Sequence, residues 1–131
     1  MQKKFINPET MPPPFGYSHI VEVSNAKRTI YISGQVAINT DGQIVGVGDI
    51  AIQTRQVFEN IKSALDTLEL QFNDVIKLTF FLTDISQMAT VRDIRDQYID
   101  TNNPPASSAV EVRKLINDNL LIEIEAIAVA N

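Results

Sequence analysis

The hydrophobic period of this chain switches repeatedly between two and about three and a half residues, and those switches restrict its fold more than any other feature. From Val75 to Thr83, Ile76, Leu78, Phe80 and Leu82 fall on one side, with Lys77, Thr79, Phe81 and Thr83 on the other. That is the alternation of a strand. From Leu121 to Ala130, Ile122, Ile124, Ala126 and Ala128 alternate in the same way with Glu123, Glu125, Ile127 and Val129. Between the strands the spacing becomes helical. From about Ile50, Val57, Ile61, Ala64, Leu65 and Leu68 line one face, and Asp49 is a candidate N-cap. A second helix, capped by Asp84 or Ser86, buries Met88, Val91, Ile94 and Tyr98 and stops at Asn102-Asn103-Pro104-Pro105.

Upstream, residues 1–15 read as an extended, proline-rich lead-in, because Pro12–Pro14 fix φ and remove three donors. Strands are predicted at His19–Val23 and Thr29–Ile38, and a short one at Gln43–Val47. Ser33-Gly34 interrupts the second of these, and a glycine there signals a bulge or a close approach. In Ala106–Arg113, Val110 and Val112 point one way, while Ser107, Ala109, Glu111 and Arg113 point the other. The predicted order is β-β-(β)-α-β-α-β-β. It describes one α+β domain over residues 1–131, a mixed β-sheet with two helices packed on one face. The second face would carry Thr79, Phe81, Ser107, Ala109, Ile127 and Val129, too apolar to meet water over a large area. A homo-oligomer is the expectation.

The 131 residues are 44% hydrophobic and 21% charged, an ordinary globular composition. Without cysteine there is no disulfide, thiolate zinc site or cysteine nucleophile. No apolar run suits a signal peptide or a membrane span, so a cytoplasmic setting is expected. A net charge of −5 disfavours a nucleic-acid partner, since phosphate neutralisation drives that affinity.

Few residues offer chemistry on their own. Glu123 and Glu125 share a strand face and could act as general acid and base, or form a charged sheet edge or an ion pair within the protein. The single histidine, His19, reads as a hydrogen-bonding residue at a strand start rather than a proton shuttle. Metal-ligand spacing is absent, and Gly46-Val47-Gly48-Asp49 lacks the lysine of a phosphate loop. No metal and no cofactor are expected.

Ser33-Gly34-Gln35, the Val75–Asp84 strand, Pro105–Val112 and Ile122–Ala128 (IEIEAIA) together resemble the RidA (YjgF) family, the reactive intermediate deaminases. The likeness runs from about Gly16 to Val129 and rests mainly on IEIEAIA with the upstream P-A-x-S-x-V-E-V. It implies a chorismate-mutase-like fold and a homotrimer with small-molecule clefts at subunit interfaces. In the best-characterised branch, those clefts hydrolyse enamine and imine compounds to a 2-oxo acid and ammonia. The resemblance makes Glu123 the water-binding acid, Tyr17 the aromatic lid, and Ser33 and Gly34 part of the cleft wall.

One motif departs from that branch. Where it has P-A-R-S-C-V-E-V, this chain has Pro105-Ala-Ser-Ser-Ala-Val-Glu-Val112, so Ser107 replaces the carboxylate-binding arginine and Ala109 the cysteine. Losing a charge-assisted pair removes roughly 1.5–3 kcal/mol, on the order of tenfold to a hundredfold in affinity. Arg92, where the branch has a helix asparagine, either restores the charge or is an ordinary surface residue. The expected function is small-molecule chemistry, C=N hydrolysis with Glu123 as the acid. The alternatives are a non-catalytic metabolite-binding or protein-protecting module and, further off, an endoribonuclease.

Overall fold

The structure, a computed structural model, describes residues 1–131. Six strands and two helices follow in the order β1 (Gln2–Ile6), β2 (Ile20–Ser24), β3 (Arg28–Val36), α1 (Ile50–Thr67), β4 (Val75–Leu82), α2 (Met88–Arg95), β5 (Ala106–Glu111) and β6 (Ile122–Ala130). The expected α+β class holds, with two helices and mixed pairing. The main sheet has the order β3-β6-β4-β5, in which β4 and β5 are parallel and β6 is antiparallel to both its neighbours.

Helix α1 forms where the period predicts it. The Asp49 carboxylate accepts from the Ile52 amide at 3.0 Å and satisfies one orphan donor of the first turn. Its stripe of Val57, Phe58, Ile61 and Leu65 meets Leu78, Phe80 and Leu82 of β4 and Ile122, Ile124, Ala126 and Ala128 of β6 in one buried cluster. Val91 and Ile94 of α2 complete that layer. Asp84 caps a 3-10 turn over Ile85–Gln87 that leads into α2. Hydrogen bonds from the Ser86 hydroxyl and amide hold its carboxyl below the ordinary 3.8.

Two elements differ from expectation. Residues 2–6 of the extended lead-in form a strand that was not expected, pairing antiparallel with β2 from Gln2 opposite Ser24 to Ile6 opposite Ile20. This pairing hides in the sequence because Lys3 and Lys4 interrupt any apolar alternation. Conversely, Gln43–Val47 forms no strand, only a bridge between Ile38 and Ile44. The Asn39 side chain there accepts from the amides of Asp41 and Gln43, satisfying locally what a strand partner would.

Under α1, Tyr98 stacks on Phe58 with centroids 5.0 Å apart, and its hydroxyl donates to Glu59 Oε2 at 2.8 Å. Burial, and then the Glu59 carboxylate, push the Tyr98 hydroxyl above its ordinary 10.0, with Arg55 pulling the other way. The folded protein therefore favours the neutral phenol. This contribution to stability is complete below about pH 10 and is lost as pH rises through the raised value. Ultraviolet titration is expected to show a phenolate step above pH 10 that Tyr98→Phe removes and Glu59→Gln lowers. A step lost in Tyr98→Phe but lying at or below pH 10 would contradict this.

Candidate functional site

The side chains singled out in the sequence fall into two groups on different parts of the sheet. The first surrounds the interruption in β3. Ile32 pairs with Ala126 and Gln35 with Ile124, so Ser33 and Gly34 together face the single residue Glu125. Two residues against one make a β-bulge, which bends the strand and re-aims its neighbours. Glu123 uses the space this creates. A methyl group on Gly34 would lie 2.7 Å from both the carboxyl carbon and Oε2 of Glu123, so only glycine lets the carboxylate lie against the backbone. Glu123 has no ion-pair partner within the chain.

Glu123 and Glu125 share the sheet face that the helices leave open, in register with Phe81 and Thr79. Glu125 lines a concavity of about 200 Å³ there, together with Tyr31, Ser33, Lys77, Thr79 and Ile127. Val129 belongs to the same side by alternation but is only 3% exposed, so the open face ends before it.

Ser107 and Ala109 do not belong to that face. The register places Ser107 beside Leu78 and Ala109 beside Phe80, on the side that packs against the helices. Ser108 and Val110 instead align with Thr79 and Phe81. The expected placement fails because β5 is an edge strand and shows its apolar residue outward, with Val110 44% exposed. Alternation reveals which residues share a face, but not which face is buried. Ser107 and Glu123 are thus on opposite sheet faces, with β4 between their strands and an offset of three residues along it, from Leu78 to Phe81.

The second group gathers where the 15–18 segment crosses the start of β5. Ser18 donates its amide to the Pro105 carbonyl at 3.2 Å and its hydroxyl to the Pro104 carbonyl at 2.6 Å, and it bridges Ala106. This clamp sets Tyr17 one residue from the clamp and Ser107 one residue beyond Ala106. Tyr17 meets His19 edge-on with centroids 5.3 Å apart. His19 Nε2 lies 2.6 Å from the Pro12 carbonyl, which can only accept, so Nε2 carries the proton. The histidine is therefore a hydrogen-bonding residue of the segment, as its position suggested.

Arg92 is exposed and makes no ion pair within the chain. It lines an open concavity of about 410 Å³ with Phe15, Gly16, Asp93, Arg95 and Asp96. Sequence reasoning passed over Arg95, which is only 4% exposed. A signal was present: Arg95 follows Met88 by seven residues and Val91 by four, on the stripe that α2 buries.

The family model described as Endoribonuclease L-PSP matches residues 9–130. A RutC family protein of Pyrococcus abyssi is 39% identical over 129 residues, covering 98% of each chain. The 2-iminobutanoate/2-iminopropanoate deaminase of Escherichia coli is 36% identical over 130 residues, covering 96% of this chain and 97% of that one. A Yersinia pestis protein of the Rid family, described as of unknown function, superposes with a TM-score of 0.85 at 37% identity, over 98% of this chain and 99% of that one. With the segment order, the β3 bulge and IEIEAIA all in place, the chain belongs to the YjgF/RidA family.

Proposed function

We propose that this protein is a homotrimer that hydrolyses C=N bonds of small imines or enamines in clefts between subunits. The observation that supports it is the separation just described. Glu123, seated on the Gly34 bulge, and Ser107, beside the Ser18 clamp, are on opposite faces of one sheet. A ligand touching both groups needs one from each of two protomers, and the open face with exposed Tyr31 and Val110 supplies contact area for assembly. A relative in Escherichia coli named 2-iminobutanoate/2-iminopropanoate deaminase supports the substrate class. A cytoplasmic setting belongs to the same proposal.

In this chemistry Glu123 takes a proton from a water held beside it, and the water oxygen bonds to the imine carbon. The C=N electron pair moves to nitrogen, which takes that proton back from Glu123. The tetrahedral adduct then expels ammonia as its hydroxyl becomes the carbonyl of a 2-oxo acid. Ser33 and Gly34 form the wall behind the carboxylate. The net charge of −5 works against the phosphodiester substrate that the family model's name suggests.

Two measurements test the proposal together. Imine generated in situ as 2-iminobutanoate is expected to decay faster with the protein than in buffer, and light scattering is expected to give three times the 14.6 kDa chain mass. A monomer with decay at the buffer rate would end it.

A further inference from the structure

Arg95 is the one arginine or lysine buried in this chain. Its Nε donates to Asp96 Oδ1 at 3.0 Å, and its Nη2 lies 2.9 Å from the same oxygen. No other protein acceptor reaches the guanidinium, and no fully buried polar side-chain atom is left without a partner. A donor without a protein partner is therefore not fully buried, and Arg95 lines the concavity with Phe15, Gly16, Arg92, Asp93 and Asp96. Gly16, at φ +75°, lies directly over Nη2, so a side chain there would displace the guanidinium. Two residues on, Ser18 locks this segment to the start of β5, the strand whose Ser107 offers no charge.

We infer that Arg95 is the cation that holds a small organic carboxylate in the concavity beside Phe15 and Gly16, an assignment that rests on the cleft proposed above. A carboxylate has the planar, two-oxygen shape that a guanidinium fork matches. Burial among packed side chains holds the fork in one orientation, whereas Arg92 is exposed and its charge is screened by solvent. Asp96 occupies one edge of Arg95, and with Arg92 and Asp93 the lining carries two cations and two anions, so only the free edge of the fork is left for one carboxylate. A doubly charged phosphate would lack a second fixed cation.

The test uses the full chain and 2-oxobutanoate as probe, read by calorimetry, beside the imine-hydrolysis assay. Binding by wild type is expected, weakened about tenfold to a hundredfold by Arg95→Met and less by Arg95→Lys. Arg92→Ala is expected to weaken it only about twofold to threefold. Gly16→Ala, which keeps the charge but displaces it, should approach the Arg95→Met result, and this covers the case in which Arg95→Met fails to fold. If turnover exists, Arg95→Met raises KM more than it lowers kcat. Equal binding in Arg95→Met or Gly16→Ala, a larger loss in Arg92→Ala, tighter binding of inorganic phosphate, or no binding by wild type would each overturn the assignment. Arg95-dependent binding without hydrolysis would uphold it while ending the deaminase proposal, and hydrolysis indifferent to Arg95 would do the reverse.

Discussion

Gln53→Met is expected to lower the unfolding free energy by about 2–4 kcal/mol, although the new side chain has nearly the same length and volume. Gln53 is fully buried on the inner face of α1. Its Nε2 donates to the carbonyls of Gly46 and Asn119 at 3.1 and 2.8 Å, and its Oε1 accepts from the Leu121 amide at 2.8 Å. One side chain thus satisfies the loop entering α1 and the loop entering β6. Methionine would leave two carbonyls and one amide without partners in the protein interior. A change that size is a large share of the 5–15 kcal/mol typical of whole-protein stability, and shifts the melting temperature by roughly 5–15 °C. Gln53→Glu sharpens the test, since a carboxylate can still accept from Leu121 but cannot donate to either carbonyl. A chemical-denaturation midpoint within about 0.5 kcal/mol of wild type for Gln53→Met would show that water replaces all three bonds.

Gln53 also marks the limit of what the sequence makes legible. Both helices, β4 and β6 follow from apolar spacing, because burial on one side leaves a periodic trace. Asp49 announces its cap, since a short acidic side chain before an apolar stripe has one common use. Gln53 and Arg95 sit at stripe positions and yet are polar, and a polar residue among apolar ones carries no record of its partners. Two of Gln53's partners, Asn119 and Leu121, are 66 and 68 residues away, and the glycine that closes over Arg95 belongs to the crossing segment. Strand β1 was hidden for a different reason: pairing through the backbone demands little of the side chains, and Lys3 and Lys4 tolerate an exposed edge. The bulge at Ser33-Gly34 was signalled by its glycine, but the close approach of Glu123 was not, because it depends on the β3–β6 register. Ser107 shows the same dependence in reverse. Its identity could be read at once, while its sheet face required the parallel pairing with β4.

The register argument leads to the largest effect expected on activity. Glu123→Gln should reduce imine hydrolysis on the order of 10²- to 10⁴-fold, the range a general base contributes, while leaving assembly and stability close to wild type. Glutamine keeps the shape that fits against Gly34 and can still orient a water, but it takes no proton. Stability should hold because Glu123 is half-buried and makes no ion pair whose loss would strand another charge. Glu125→Gln is the informative companion. It alters a carboxylate on the same sheet face but one that lines the Tyr31–Lys77 concavity rather than lying on the bulge. It should cost less than about threefold, as surface charges away from reacting atoms do. Gly34→Ala supplies the third comparison, because its methyl group would displace the Glu123 carboxylate without changing its charge. A loss in Gly34→Ala approaching that in Glu123→Gln would tie activity to the position of the carboxylate as well as its presence. If Glu125→Gln proves the crippling change and Glu123→Gln retains full turnover, the base belongs to the open-face concavity and the bulge is only a structural device.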